Sequence, residues 1–471
     1  MGLNLRRRLA WACWVALAGP CAQAAGHVLT VGTPGASAPG VVVSTPAGID
    51  CGPQCQFAFP QGTQVELAVT APPGKAFAGF SSAPYVEDSC VRGSCRILMT
   101  TQKEASALFT DLRASPTPFV WFTTLPFPNT SVNTTEVAKA YLVNAGQGPL
   151  AVTGLSTNDS RFVPAADCGT LATGAGCDIS VAFTPSVEGA LQRTVTISTD
   201  QGTVQISVSG VAERTLIPHF YQAILRRQPD SGGKAFWANE AGRLAAPIRN
   251  EDPTPRADLD EVWFAMATMF YGSPEYAAFG RDGAGFVADL YDTFFNRAPD
   301  SSGLAYWGDQ LAAGLPREVA LASFMFSAEF AAFNTAIFGG DRVRAEVDMV
   351  MDFYRGLLGR LPDTAGLDYW VGRFRAAQCA GPQAVRAEVE TIASAFALSA
   401  EYAARARTTV QYVGDLYSAF LRRGGDLQGV QYWIDQVATG ARSREQVRVA
   451  FRDSPEFSAR VEAVVAAGCK T

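Results

Sequence analysis

At 471 residues, 48% hydrophobic and 17% charged, the chain is long enough for several domains and apolar enough to bury real cores, which excludes a disordered polymer. Its formal net charge of -6 repels phosphate backbones and argues against a nucleic-acid partner.

The first residues have the layout of an export signal. Arg6, Arg7 and Arg8 precede an apolar run from Leu9 to Gly19, and Ala22-Gln23-Ala24 supplies small residues around a cleavage site, so residues 1–24 are expected to be removed. Cleavage leaves 35 basic against 44 acidic residues, because the segment holds three arginines and no acid. The apolar run is too short for a membrane span, which needs about 20 residues. Cys21 follows Pro20, whereas a lipidated cysteine follows a small residue. The apolar stretch from Val319 to Phe338 contains Glu329 and Asn334 and reads as a buried helix pair. The expected address is secreted, extracellular or cell envelope, with no transmembrane segment.

Eight cysteines remain after cleavage, an even number that in an exported chain predicts disulfides. Clustering pairs Cys51 with Cys55, Cys90 with Cys95 and Cys168 with Cys177, leaving Cys379 for Cys469. The last pair closes a long loop, for which chain entropy predicts about 4 to 5 kcal/mol. Zinc would need tighter, CxxC-type quartets.

Residues 25–112 alternate apolar and polar positions in short runs broken by Gly and Pro, with Val65, Leu67 and Val69 on one face, which predicts a small antiparallel β module. Gly40 to Cys55, Phe59, Gly62-Thr63, Pro73-Gly74, Gly79-Phe80 and Cys90 to Cys95 together resemble the bacterial repeat domain related to the internalin B repeat. Gly79-Phe80 stands where that family has Gly-Trp, and Pro84-Tyr85 is unusual for it.

A Pro-rich linker, Ser115-Pro-Thr-Pro118, opens residues 113–212, where runs such as Ala138 to Val143, Cys177 to Phe183, Val195 to Ser198 and Val204 to Val208 predict a β-sandwich. Leu142-Val-Asn-Ala-Gly-Gln-Gly-Pro-Leu150, Cys168-Gly-Thr-Leu, Gly176 to Pro185 and Val208-Ser-Gly210 resemble the abnormal-spindle and Hydin immunoglobulin-like domain, also seen in the choice-of-anchor D group. That resemblance implies a spacer or scaffold.

From residue 213 the periodicity becomes helical and four copies of one pattern align. Each has Tyr, then Arg six residues on, Asp three further, Gly, and an aromatic-Trp pair. These are Tyr221, Arg227, Asp230, Gly233 and Trp237; then Tyr291, Arg297, Asp300, Gly303 and Trp307. Tyr354, Arg360, Asp363, Gly366 and Trp370 follow, then Tyr417, Arg423, Asp426, Gly429 and Trp433. Each copy closes on Ser-x-Glu-aromatic, with Glu275, Glu329, Glu401 and Glu456. The copies run over about 213–282, 283–345, 346–408 and 409–471. The first carries an insertion before Ser273, and the fourth has Gly425 in place of the proline. The pattern resembles an uncharacterised domain of bacterial surface-layer and calcium-repeat (RTX) proteins with the hallmark Arg-x-Pro-Asp-x-x-Gly-x-x-Tyr-Trp. It implies an all-helical fold and an extracellular address, and no reaction.

Physics gives these residues structural work. Asp and Ser cap helix N-termini, Gly relaxes the turn, the aromatic-Trp pair packs inward, and Arg bonds either the nearby Asp or the Glu of the closing signature. Calcium on Asp230, Asp300, Asp363 and Asp426 is the alternative, although each motif offers one carboxylate where calcium takes six to eight oxygens. No other cofactor is expected. With only His27 and His219 in the chain and no Gly-x-Ser-x-Gly elbow, phosphate loop or HExxH helix, no catalytic centre is expected. The expectation is a multidomain protein, two all-β modules followed by an all-α repeat region. It would be non-catalytic, with β spacers presenting the helices for surface assembly, adhesion or binding to an unknown protein or glycan. The alternative is a glycan-binding or glycan-active accessory protein with a cleft lined by the repeated aromatics.

Overall fold

The computed structural model describes residues 26–34, 41–82, 95–99, 101–249, 260–339 and 344–469. The export signal at 1–24, the Pro84-Tyr85 departure and Cys90 of the Cys90–Cys95 pair lie outside these residues. Two β modules precede a helical region that starts at Ile217.

In the first module two four-stranded sheets face each other. One runs Gln56–Phe59, His27–Gly32, Lys103–Asp111, Lys75–Ser82, and the other Asp50–Cys51, Val42–Thr45, Gln64–Val69, Cys95–Leu98. Alternation sets the register: Val65 and Leu67 turn into the core while Gln64, Glu66 and Ala68 face out. The module is not antiparallel throughout, because His27–Gly32 pairs in parallel with Lys103–Asp111. Parallel neighbours need a long crossover, and the rest of the module supplies it. Sequence alternation carries no sign of strand direction.

The second module is a sandwich. Glu136–Asn144 and Gly176–Phe183 lead one sheet, and Leu150–Thr157, Gly189–Thr199 and Gly202–Glu213 the other. Phe162 and Phe183 stack at 4.5 Å in its core. The Pro-rich segment before it is no free linker. Arg113 N–H donates to the Ala145 carbonyl (2.9 Å), and Ala145 N–H to that of Thr117 (2.8 Å). Buried Asn144 accepts from Thr117 N–H (3.2 Å) and Gly146 N–H (3.1 Å) through its side-chain Oδ1. Phe77 of the first module lies 5.6 Å from Tyr141 of the second, above a small shared core of Ala76, Ala78, Leu108 and Val143.

The helical region has four helices per copy. In the first these are Ile217–Leu225, Ser231–Arg249, Asp260–Tyr271 and Pro274–Ala277, and in the second Gly283–Phe295, Ser301–Ala312, Arg317–Met325 and Ala328–Phe338. The third has Ala345–Phe353, extended as the π-helical Tyr354–Leu358, then Thr364–Ala380, Pro382–Ala397 and Ala400–Ala404. In the fourth, Thr409–Leu416 runs into the π-helical Tyr417–Leu421, then Leu427–Ala438, Arg444–Arg452 and Pro455–Ala466 follow. The closing helix is thus short, long, short, long, and the four copies form two similar halves. Sequence agrees: from Ser273 to Gly303 and from Ser399 to Gly429 the halves align without a gap, 126 residues apart. All four copies share one core from Leu216 to Val464. Among the described residues no single helix is long and apolar enough to cross a membrane, and the apolar pair Arg317–Met325 and Ala328–Phe338 is bent by 49°. Val319, Phe324, Phe330 and Ile337 of that pair are buried.

Candidate functional site

The repeated residues form one clamp, built four times. Each motif arginine forks onto the closing glutamate, with Nε to Oε1 at 2.6 Å for Arg227–Glu275, 2.7 Å for Arg297–Glu329, 2.5 Å for Arg360–Glu401 and 2.6 Å for Arg423–Glu456. The second nitrogen, Nη2, donates to Oε2 at 3.0 to 3.1 Å. Each guanidinium also lies over its motif tyrosine, 4.9 to 5.2 Å from the ring centre. Asp is the weaker neighbour, at 3.6 Å for Arg227–Asp230 and 3.9 Å for Arg297–Asp300. The four glutamates follow serines whose hydroxyls cap the closing helices, accepting from the N–H three residues on at 3.0 to 3.1 Å.

Asp230, Asp300, Asp363 and Asp426 each cap the second helix of their copy, accepting from the N–H of the motif glycine at 2.7 to 2.8 Å. That bond holds the Asp230 and Asp363 carboxyls below their usual range. Among the described residues, no group of three or more His, Cys, Asp and Glu side chains is placed to hold a metal ion.

The glycine does not relax a turn. It sits in the first turn of the helix because the tyrosine hydroxyl lies against it. A Cβ on Gly233, Gly303 or Gly366 would fall far inside van der Waals contact with Tyr221, Tyr291 or Tyr354, and one on Gly429 would lie 2.9 Å from Tyr417. The aromatic pair also divides differently from expectation. Trp237 and Trp370 are buried, and Trp307 and Trp433 pack at the core's edge, but Phe236, Tyr306, Tyr369 and Tyr432 are 48% to 56% exposed. Consecutive helical residues point about 100° apart, so one ring of each pair must turn outward.

The cysteines close loops in each module. Cys51 is bonded to Cys55, Cys168 to Cys177, and Cys379 to Cys469 across 90 residues. Cys95 is disulfide-bonded as well, while Cys90, its expected partner, lies outside the described residues. His219 is buried, its Nε2 2.9 Å from the Thr293 carbonyl oxygen, and burial lowers its pKa.

A second arrangement draws only its tyrosine from the repeated pattern. At the junction of the first two copies, Asp289 accepts from the Tyr276 hydroxyl and from Arg281 Nε, both at 2.9 Å. At the corresponding junction 126 residues on, Asp415 accepts from the Tyr402 hydroxyl and Arg407 Nε, again both at 2.9 Å. A cavity of 570 Å³ opens between these junctions. Its walls carry Arg281, Arg317, Arg355, Arg405 and Arg407. Two carboxylates, Glu318 and Asp415, face them, and Phe286, Leu321, Ala322 and Met325 give it an apolar side. Aligning the copies in pairs would have shown the repeated Tyr-Arg-Asp set. No spacing rule would have shown that the two sets meet.

Deeper in the core, Glu261 of the first copy, Asp352 of the third and Arg422 of the fourth meet, with Arg422 Nη1 3.3 Å from Asp352 Oδ2. Arg355 and Arg460 also donate to Asp352. Burial pushes Glu261 up and Asp348 to about 7. Asp352 ends below its usual value because Arg422, Arg460 and Arg355 outweigh its burial.

Comparison with known proteins covers part of this architecture. Residues 119–211 match the family described as HYDIN/CFA65/VesB-like, Ig-like domain. Residues 267–334 and 393–461 match Domain of unknown function (DUF4214). The second pair of bounds begins 126 residues after the first, the spacing of the two halves. No curated protein matches the chain. Among solved structures, the PapD-like domain 7 of human CEP192 is 18% identical over 21% of this chain and 87% of that one, with a TM-score of 0.19. Vibrio cholerae VesB protease is 16% identical over 21% of this chain and 32% of that one, TM-score 0.18. Domains 4 and 5 of the S-layer protein SbsC are 13% identical over 36% and 93%, TM-score 0.16. The chain therefore carries an Ig-like domain of the HYDIN/CFA65/VesB-like type and two DUF4214 segments.

Proposed function

We propose that this is an exported, non-catalytic protein of the cell envelope or extracellular space, in which the two β modules carry the helical region and present it for surface assembly, adhesion or binding. The observation that supports this most is the bonded cysteine pair in every module, a use of cysteine suited to an oxidising compartment. The likeness of the first module to the internalin-type bacterial repeat fits the same address. The repeated Arg, Asp and Glu act as architecture in this reading, and no cofactor is assigned to it. Cell fractionation with thiol labelling tests it. The protein should appear outside the cytoplasm with every cysteine protected until reduction. A cytoplasmic protein with alkylatable thiols would end the proposal.

A second reading, a glycan-binding accessory protein, rests on Phe236, Tyr306, Tyr369 and Tyr432. Flat aromatic faces exposed at the same place in four copies are surfaces on which sugar rings stack.

A further inference from the structure

The two halves of the helical region provide an internal control. A side chain that recurs at the same place in both is explained by the shared architecture, and one that differs at a shared place needs another reason. Around the cavity Arg281 and Arg407 recur, each spent on the buried carboxylate beside it. Arg317 has its counterpart in Arg444. Arg317 donates to the Arg281 carbonyl (2.6 Å) over the Phe286 ring, and Arg444 to the Arg407 carbonyl (2.9 Å) over the Tyr412 ring.

Two cavity arginines have no such counterpart in the first half, although Arg405 shares its place with Arg460 of the fourth copy, which donates to the Phe420 carbonyl. Arg405 stands where the first half has Phe279. Arg355 stands where the other copies have Gln222, Asp292 and Ser418. Arg355 is neutralised by Asp352, but Arg405 hydrogen-bonds only to carbonyls, those of Gly356 and Leu357. Among the described residues neither Arg405 nor Arg317 has a carboxylate within 4 Å. The cavity wall carries five arginines against the two carboxylates Glu318 and Asp415, and burial depresses the Arg405 guanidinium, Asp415 opposing it and Arg407 adding to it. This occurs in a chain whose net charge is -6.

Resting on the helical region as a binding module, we infer that the cavity between the two halves binds a small organic anion. Its carboxylate or similar oxyanion lies between Arg317 and Arg405, and its carbon skeleton against Leu321, Ala322 and Met325. Guanidinium forks match planar carboxylates, and 570 Å³ falls within the range of about 300 to 1,000 Å³ for small-molecule sites.

The test is calorimetric titration of the full chain with glucuronate, citrate and inorganic phosphate, with glucose as the neutral control. At least one organic anion should bind, more tightly than inorganic phosphate, and glucose should not. Arg405→Phe installs the residue the other half already carries there, and Arg317→Gln alters an exposed side chain. Each should weaken binding at least tenfold while the chain still melts in one cooperative transition, which separates lost affinity from lost folding. Silence toward all three anions, phosphate binding as tightly as the organic acids, or unaltered affinity in both variants would each overturn the inference. An exported, fully oxidised protein inert to every anion would refute the site alone and leave the broader reading standing.

Discussion

The first and second halves of the helical region repeat the same helices, clamps and Tyr-Arg-Asp junctions, yet they are embedded differently. The first half meets the Ig-like module: Asn133 donates to the Ala336 carbonyl, Arg214 to that of Ile337, and Lys234 pairs with Glu213. The second half is tied back on itself by Cys379–Cys469 and supplies Arg355 and Arg405 to the cavity. Shared sequence thus encodes the scaffold, while departures from it mark where each half meets something else. The position of Asp289 illustrates this. His219, Asp289, Asp352 and Asp415 occupy it in the four copies, and all four are buried. Only Asp352 gathers three arginines from two copies.

That difference gives the largest expected effect. Asp352→Asn keeps the shape but leaves Arg355, Arg422 and Arg460 with Glu261 and Asp348, and breaking a buried pair by removing one partner costs about 3 to 5 kcal/mol. Asp415→Asn disturbs one arginine, Arg407, and the Tyr402 hydroxyl, and should cost less. Urea midpoints of the two variants check the order. Equal losses would mean that the network around Asp352 adds nothing to what both halves share.

The motif glycine offers a finer comparison. Gly303→Ala drives a methyl group into the Tyr291 hydroxyl, and overpacking of this kind costs about 1 to 3 kcal/mol. At Gly429 the Tyr417 hydroxyl lies farther off, and the gain in helix propensity of about 1 kcal/mol offsets much of the clash. Thermal melts should show a clear loss for Gly303→Ala and a small change for Gly429→Ala. A reversed order would remove the tyrosine from the explanation.

Much of the scaffold was legible in the sequence because its signals are local. Asp230 or Ser273 at a helix start, the 3.6-residue periodicity and the fourfold recurrence of Tyr221 through Trp237 all act within a turn or two. The choice of Arg227 for Glu275 over Asp230 was not legible, since it depends on how a helix 48 residues away folds back. The exposure of Tyr306 beside Trp307 could have been read from helix geometry. The parallel pairing of His27–Gly32 with Lys103–Asp111, and the meeting of Arg281 with Arg407 in one cavity, are consequences of topology, to which neither composition nor spacing refers.

The smallest expected effect concerns the face that the first half presents to the β modules. Glu136 stands near Asp292, where the second half has Ser418. Burial, with the charge of Asp292 adding to it, raises the Glu136 carboxyl to about 7 from 4.5. Its folded pKa lies above its unfolded one, so the folded chain binds the extra proton. This group's contribution to stability therefore falls as pH rises from 4.5 to 7. Glu136→Gln removes the penalty. With the side chain partly exposed, the gain at pH 8 should be about 1 kcal/mol and should vanish near pH 4. Asp348, raised to about 7 by burial in the helical core, acts in the same direction in both proteins, so only the difference between variant and parent isolates Glu136. Melting midpoints at pH 4, 6 and 8 give that difference. A constant offset across the three would show that the carboxylate does not titrate against its neighbour across the module boundary.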